Sequence, residues 1–153
     1  MNGITQRVPA TPWTVVLKVN GMDLMPMQPY PLCAIVMTDS TGKFIVFGIS
    51  FRDMNASEGL SVDYWQSVTT YSGFSPFPAA TLPSYFPLWL KVQDDGTNLK
   101  FSYSGTGSVY TPVVTVPRAA FLSSGPTSVG LAVGSDGAGT TVNGAFDYFR
   151  QVQ

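Results

Sequence analysis

LWLKVQDDGTNLKFSYSGTG, residues Leu88 to Gly107, is the stretch that decides the fold. Leu88, Leu90 and Val92 alternate with Trp89, Lys91 and Gln93, and a second alternating run follows from Leu99. A period of two places successive side chains on opposite faces of an extended strand, which no helix accommodates. Between the runs lies Asp94-Asp95-Gly96-Thr97-Asn98, a cluster of residues whose side chains or missing Cβ stabilise tight turns. The pattern predicts an antiparallel hairpin with Gly96 at positive φ and Trp89 facing away from the Leu88, Leu90 and Val92 side.

Working outward, strand-like runs recur at about 8–12-residue spacing, the signature of a sandwich or barrel. Trp13 to Val19 alternates, and Leu32 to Thr38 is continuously apolar, as a central strand covered on both faces would be. After the turn Asp39-Ser40-Thr41-Gly42, the run Lys43 to Phe51 returns with Phe44 and Val46 on one face and Ile45, Phe47 and Ile49 on the other. Leu60 to Gln66, Ser108 to Val116, Thr127 to Gly134 and Thr141 to Val152 complete the set. The 3.6-residue periodicity of an amphipathic helix is nowhere sustained. Asn20 to Pro31 and Tyr71 to Pro87 break the rhythm with clustered prolines, which remove ladder donors, so both are expected to be loops.

Composition agrees. The 153 residues are 44 % hydrophobic but only 11 % charged, against a usual charged share of about 25 %. A chain of this length supports one domain with one core, here assigned to 12–153, with residues 1–11 expected to be an N-terminal extension or linker. The net charge of −1 provides no basic footprint for phosphate, so nucleic acid is not an expected partner. No run approaches the roughly 18 apolar residues of a membrane span, and MNGITQRVPATPW lacks the basic-then-apolar order of a signal peptide.

The chemistry available is narrow. Without histidine there is no Ser-His-Asp or Cys-His nucleophile system and no imidazole metal site. Glu58 is the only glutamate and sits in the turn-like MNASEG, a poor start for a pair of glycosidase carboxylates. Asp39, Asp94, Asp95 and Asp136 lie within two residues of Gly, Ser or Thr, where turn chemistry alone accounts for them. No metal site, no cofactor and no catalytic residue is therefore expected. Cys33, the only cysteine, lies in an apolar run and reads as a buried small hydrophobe. The rings are more suggestive. Tyr64, Trp65, Tyr71, Phe74 and Phe77 fall close together beside Pro76 and Pro78, a grouping suited either to core packing or to stacking on flat ligand faces such as sugars. Arg52 and Asp53, at the end of a neighbouring strand, are candidates for hydrogen bonds to ligand hydroxyls.

These residues carry a family resemblance. LWLKVQDDGTNLKFSYSGTG followed by VGLAVGSDGAGTTVNGAFDYFRQV resembles the C-terminal half of concanavalin A-like (laminin G-like) jelly-roll domains. PWTVVLKV and LCAIVMTDSTGKFIVFGI resemble the form of that domain found in bacteriophage virion proteins, so the likeness runs from Pro12 to Val152. It implies an all-β fold of two antiparallel sheets. Fold alone does not assign function among such domains, which serve as sugar-binding appendages of xylosidases, as parts of tail fibres, and as enzymes. The chain lacks the paired-glutamate strand of the glucanases and the metal-ligand loop of the lectins. The resemblance thus implies a non-enzymatic, phage-type virion or fibre surface module that binds a cell-surface glycan or receptor, or mediates assembly with other virion proteins or its own copies. The alternative is a carbohydrate-binding accessory module of a secreted glycoside hydrolase. Either setting is a virion surface or the extracellular space, without a membrane partner.

Overall fold

The computed structural model describes residues 2–23, 32–51, 58–75, 86–134 and 143–152. Within them lie eleven strands and no helix: β1 (Asn2–Arg7), β2 (Trp13–Asp23), β3 (Leu32–Thr38), β4 (Phe44–Phe51), β5 (Glu58–Ser67), β6 (Thr70–Ser75), β7 (Leu88–Asp94), β8 (Asn98–Ser104), β9 (Thr111–Pro117), β10 (Ser128–Gly134) and β11 (Asn143–Val152). None of the described residues forms a helix long and apolar enough to cross a membrane. The strands make two antiparallel sheets, one in the order β1-β10-β3-β4-β5-β6 and one in the order β11-β2-β7-β8-β9.

The alternation seen in sequence becomes a two-sided architecture. From the six-stranded sheet, Cys33, Ile35, Met37, Ile45, Phe47, Ile49, Leu60 and Val62 point inward; from the five-stranded sheet, Val15, Leu17, Val19, Leu90, Val92, Leu99 and Phe101 meet them. Phe47 and Phe101 touch edge-to-face across the gap, ring centroids 5.3 Å apart, the geometry that the ring quadrupoles favour. Full burial of one such side chain contributes about 1.5–3 kcal/mol, so this inner layer carries the fold. Burial also pushes the Cys33 thiol up to about 12.

The expected hairpin forms, with Trp89 opposite Ser104, Val92 opposite Phe101 and Asp94 opposite Leu99. Gly96 has φ 91°, and a Cβ there would lie 3.3 Å from the Thr11 hydroxyl. The turn's amides are taken by its own carboxylates: Gly96 N–H donates to Asp94 Oδ1 at 2.9 Å, and Thr97 and Asn98 donate to Asp95 Oδ1 at 2.9 and 2.7 Å. A hydrogen bond from Lys100, with those from Asn98 and Thr97, holds the Asp95 carboxyl well below the usual carboxylate range.

Several boundaries differ from the sequence expectation. Residues 2–7 are a strand rather than an extension: β1 pairs with β10 along its full length, from Asn2 opposite Val133 to Arg7 opposite Ser128. All six β1 residues are exposed, so β1 shows none of the inward apolar alternation that marks a core strand. The loop expected over Asn20 to Pro31 does not start at Asn20, because Gly21, Met22 and Asp23 still pair with β11; residues 24–31 lie outside the described residues. The expected loop from Tyr71 starts as strand β6, paired with β5 from Val62 opposite Ser75 to Ser67 opposite Thr70. Its prolines begin only at Pro76, so the backbone donors up to Ser75 remain available for the ladder. Finally, β9 starts at Thr111, because the hydroxyls of Ser104 and Thr106 first bind the backbone amides of Thr106, Gly107 and Ser108.

Candidate functional site

The outer face of the six-stranded sheet departs from the usual rule that a sandwich strand turns polar side chains to solvent. Leu32, Ala34, Val36, Phe44, Val46 and Ala132 form a second apolar cluster there, with Trp65 packed against it. Its middle is covered, since Ala34, Val46 and Ala132 are fully buried. Access opens towards the β5–β6 corner, where Trp65 is half-buried and Tyr71 is 48 % exposed.

Cross-strand register builds this corner. Phe44 on β4 lies opposite Trp65 on β5, and their rings stack nearly parallel, centroids 5.7 Å apart at 5°. Tyr71 on β6 lies opposite Trp65 on its other side, meeting it edge-on at 5.2 Å and 71°. The β5–β6 register shifts on both sides of Trp65, the kind of irregularity that re-aims a side chain at a sheet edge. Two residues before Trp65, and so on the same face, Asp63 accepts a hydrogen bond from Ser61 Oγ at 3.0 Å. The corner therefore offers planar ring surface beside a carboxylate, a combination suited to a ligand with one apolar face and a rim of hydroxyls. The carboxylate can accept hydrogen bonds while the rings take the flat face.

Of the candidate site residues, the structure brings Trp65 and Tyr71 together. It separates Tyr64 from them: one residue out of phase with Trp65, Tyr64 turns inward and packs on Phe121, ring centroids 5.2 Å apart. Phe74 pairs with Asp63 through its backbone, but its side chain, like Phe77, Arg52 and Asp53, lies outside the described residues. Phe44 was not among the candidates. Its signal was the alternation of Phe44 and Val46 against Ile45, Phe47 and Ile49, which marks an outer face too apolar for solvent. Placing Phe44 beside Trp65 required the β4–β5 register, which sequence alone did not provide.

The carboxylates of the Asp94–Asn98 turn are engaged within the protein. Asp94 is buried, with one oxygen on Gly96 N–H and the other accepting from Arg118 Nε at 2.7 Å. Asp95 pairs with Lys100 at 2.7 Å. Asp136 lies outside the described residues. Among the described residues no group of three or more His, Cys, Asp or Glu side chains converges as metal ligands.

No protein-family model matches the sequence, and no curated protein matches it. Solved structures do. The GH43 protein BlXynB from Bacillus licheniformis superposes with a TM-score of 0.70 at 20 % identity, covering 99 % of this chain and 29 % of that one. A xylan beta-1,4-xylosidase from Bacillus halodurans C-125 gives 0.68 at 15 %, again with 99 % and 29 % coverage. A tetrameric galectin from the ball sponge Cinachyrella sp. gives 0.65 at 11 %, with 99 % of this chain and 100 % of that one. The chain thus spans less than a third of these two GH43 and xylosidase chains but the whole of the galectin. At these identities the likeness establishes architecture: two packed antiparallel sheets of six and five strands, matched almost end to end, give this chain the concanavalin A-like, lectin-type jelly-roll fold.

Proposed function

We propose that the chain is a non-enzymatic glycan-binding module that receives sugar rings at the Trp65–Tyr71 corner of its six-stranded sheet. The observation that carries this reading is the placement of Phe44, Trp65 and Tyr71 as touching rings on an outer face. Phe44 belongs to the buried second cluster, but Trp65 is only half-buried and Tyr71 is exposed, so part of this ring surface is open. Trp65 and Tyr71 supply flat apolar surface, and Asp63 supplies an acceptor for hydroxyls at its rim. The galectin and GH43 folds among the similar structures support the same reading.

Two settings suit such a module. In the first it is displayed on a phage-type particle or fibre and contacts a cell-surface glycan; this rests on the sequence resemblance of the N-terminal half. In the second it is the accessory module of a secreted glycoside hydrolase; the 29 % coverage of the GH43 and xylosidase chains favours this arrangement. Both place it outside the producing cell.

The test is a glycan array probed with the parent protein, Trp65→Ala and Tyr71→Ala, each first checked for cooperative melting. Base–aromatic and cation–π contacts of comparable size are worth about 1–3 kcal/mol, so loss of one stacked ring should weaken binding about tenfold or more. Tyr71 is the cleaner probe because it is half exposed, whereas Trp65 packs against the second apolar cluster. If both variants fold and bind as well as the parent, the corner is not the site.

A further inference from the structure

The register of the six-stranded sheet runs the ring corner into a longer lateral row. Arg7 lies opposite Ser128, Ser128 opposite Thr38, Thr38 opposite Phe44, Phe44 opposite Trp65 and Trp65 opposite Tyr71. One row thus crosses all six strands on a single face, because in-register partners in an antiparallel sheet point the same way. Its chemistry changes in order along its length: a guanidinium on β1, two hydroxyls on β10 and β3 joined at 2.5 Å, then three rings.

Exposure singles this row out from the ones beside it. On the middle strands β10, β3 and β4 the next row inward is Gly130, Val36 and Val46 and the one after it Ala132, Ala34 and Gly48, all buried, although these rows end in exposed Thr5 and Gly3 on β1 and the first reaches half-buried Asp63 on β5. In the Arg7 row only Phe44 is buried, under its stacking partner, while Ser128, Thr38 and Trp65 are half-buried and Arg7 and Tyr71 exposed. Arg7 makes no ion pair among the described residues. Asp63 sits near the opposite end, on the strand that carries Trp65. The strip therefore has rings at one end and a positive group about 19 Å from Trp65, four strand spacings along.

We infer that this row is an extended subsite for an acidic oligosaccharide: a neutral sugar unit stacks at Trp65–Tyr71, the chain crosses Thr38 and Ser128, and an anionic substituent pairs with Arg7. The inference rests on the glycan-binding reading above and adds the ligand's class and direction. A planar guanidinium matches a carboxylate or sulfate bidentately, while the rings at the other end offer only flat apolar surface, so the chain docks one way round. Uronate, sialate and sulfate share the required chemistry.

The experiment uses an array on which each neutral oligosaccharide (xylan, cellulose, galactan and N-acetyllactosamine types) is printed beside its uronate-, sialate- or sulfate-bearing counterpart. The expected result is that at least one acid-bearing chain binds more strongly than its neutral partner by roughly fivefold, as expected for an exposed ion pair. Arg7→Gln should abolish that advantage, leave the neutral partner's binding and the melting temperature unchanged, and remove the salt dependence of the acidic chain's binding. Trp65→Ala or Tyr71→Ala should weaken both members of the pair. Which counterpart gains identifies the anionic group. Equal binding of neutral and acidic partners by the parent, or an advantage that survives Arg7→Gln, overturns this inference while leaving the ring corner standing. Binding of no glycan at all overturns both.

Discussion

The Asp94–Arg118 pair is the place where one substitution should most disturb the molecule outside its apolar core. Asp94 ends β7 at the base of the hairpin and is fully buried. Its carboxylate accepts from Gly96 N–H and Arg118 Nε, while Arg118 Nη1 donates to the Ser124 carbonyl at 2.8 Å. The guanidinium fills the space beside Gly125, where a Cβ would lie 2.2 Å from Nη1 and where φ is +78°. One side chain thus ties the hairpin turn to the loop between β9 and β10. Arg118→Met keeps the aliphatic stem but leaves a buried carboxylate with a single donor. Removing one partner of a buried pair costs about 3–5 kcal/mol. Because the Arg118 side chain is 23 % exposed, some water reaches the pair, and the lower end, about 3 kcal/mol, applies. In a chain of this length that corresponds to a fall in Tm of about 6–12 °C, a large part of a total stability of about 5–15 kcal/mol. Thermal and urea unfolding followed by circular dichroism measure it. Asp94→Asn, added to Arg118→Met, removes the stranded charge while keeping an acceptor for Gly96, so the double variant should regain about 1–2 kcal/mol. A loss below about 1 kcal/mol in the single variant, or strictly additive effects, would refute the clamp.

Other outcomes follow from the same structure. Gly96→Val, which forces a branched residue to φ 91°, should destabilise by about 1 kcal/mol or more; a variant that melts like the parent means the turn does not need glycine. Cys33, buried with its thiol pushed up to about 12, should react with a thiol reagent only on unfolding; fast native labelling would show that the inner layer opens. Burial raises the Asp39 carboxyl, but hydrogen bonds from Thr41, Ser123 and Lys43 outweigh this and hold it below its ordinary 3.8. Its stabilisation is therefore complete above that value and is lost as pH falls through the lower folded value, so Asp39→Asn should flatten the acid limb of a stability–pH curve. An unchanged acid limb would assign that limb to other carboxylates. A chelator should leave Tm unchanged, because the oxygens of Asp94 and Asp95 are engaged by amides, Arg118 and Lys100; a fall reversed by calcium would make these residues ligands.

The strands and the hairpin were legible in the sequence because a period of two is a local property. Leu88 to Val92 declares its inner face without reference to any other strand, and Asp94 to Asn98 needs only its own backbone to turn. The doubly apolar β3 likewise announced a central position. Three things could not be read this way. β1 carries no inward apolar pattern, so it is a strand only through its ladder with β10. β6 followed a proline-rich composition that describes Pro76 onwards but not Thr70 to Ser75. The candidate site is the clearest case. Tyr64 and Trp65 are neighbours in the chain and face opposite sides of the sheet, while Phe44, 21 positions away in the numbering, lies beside Trp65. Sequence determined which residues alternate; the pairing of strands, a long-range choice made by packing and register, decided which rings meet and which cation shares their row.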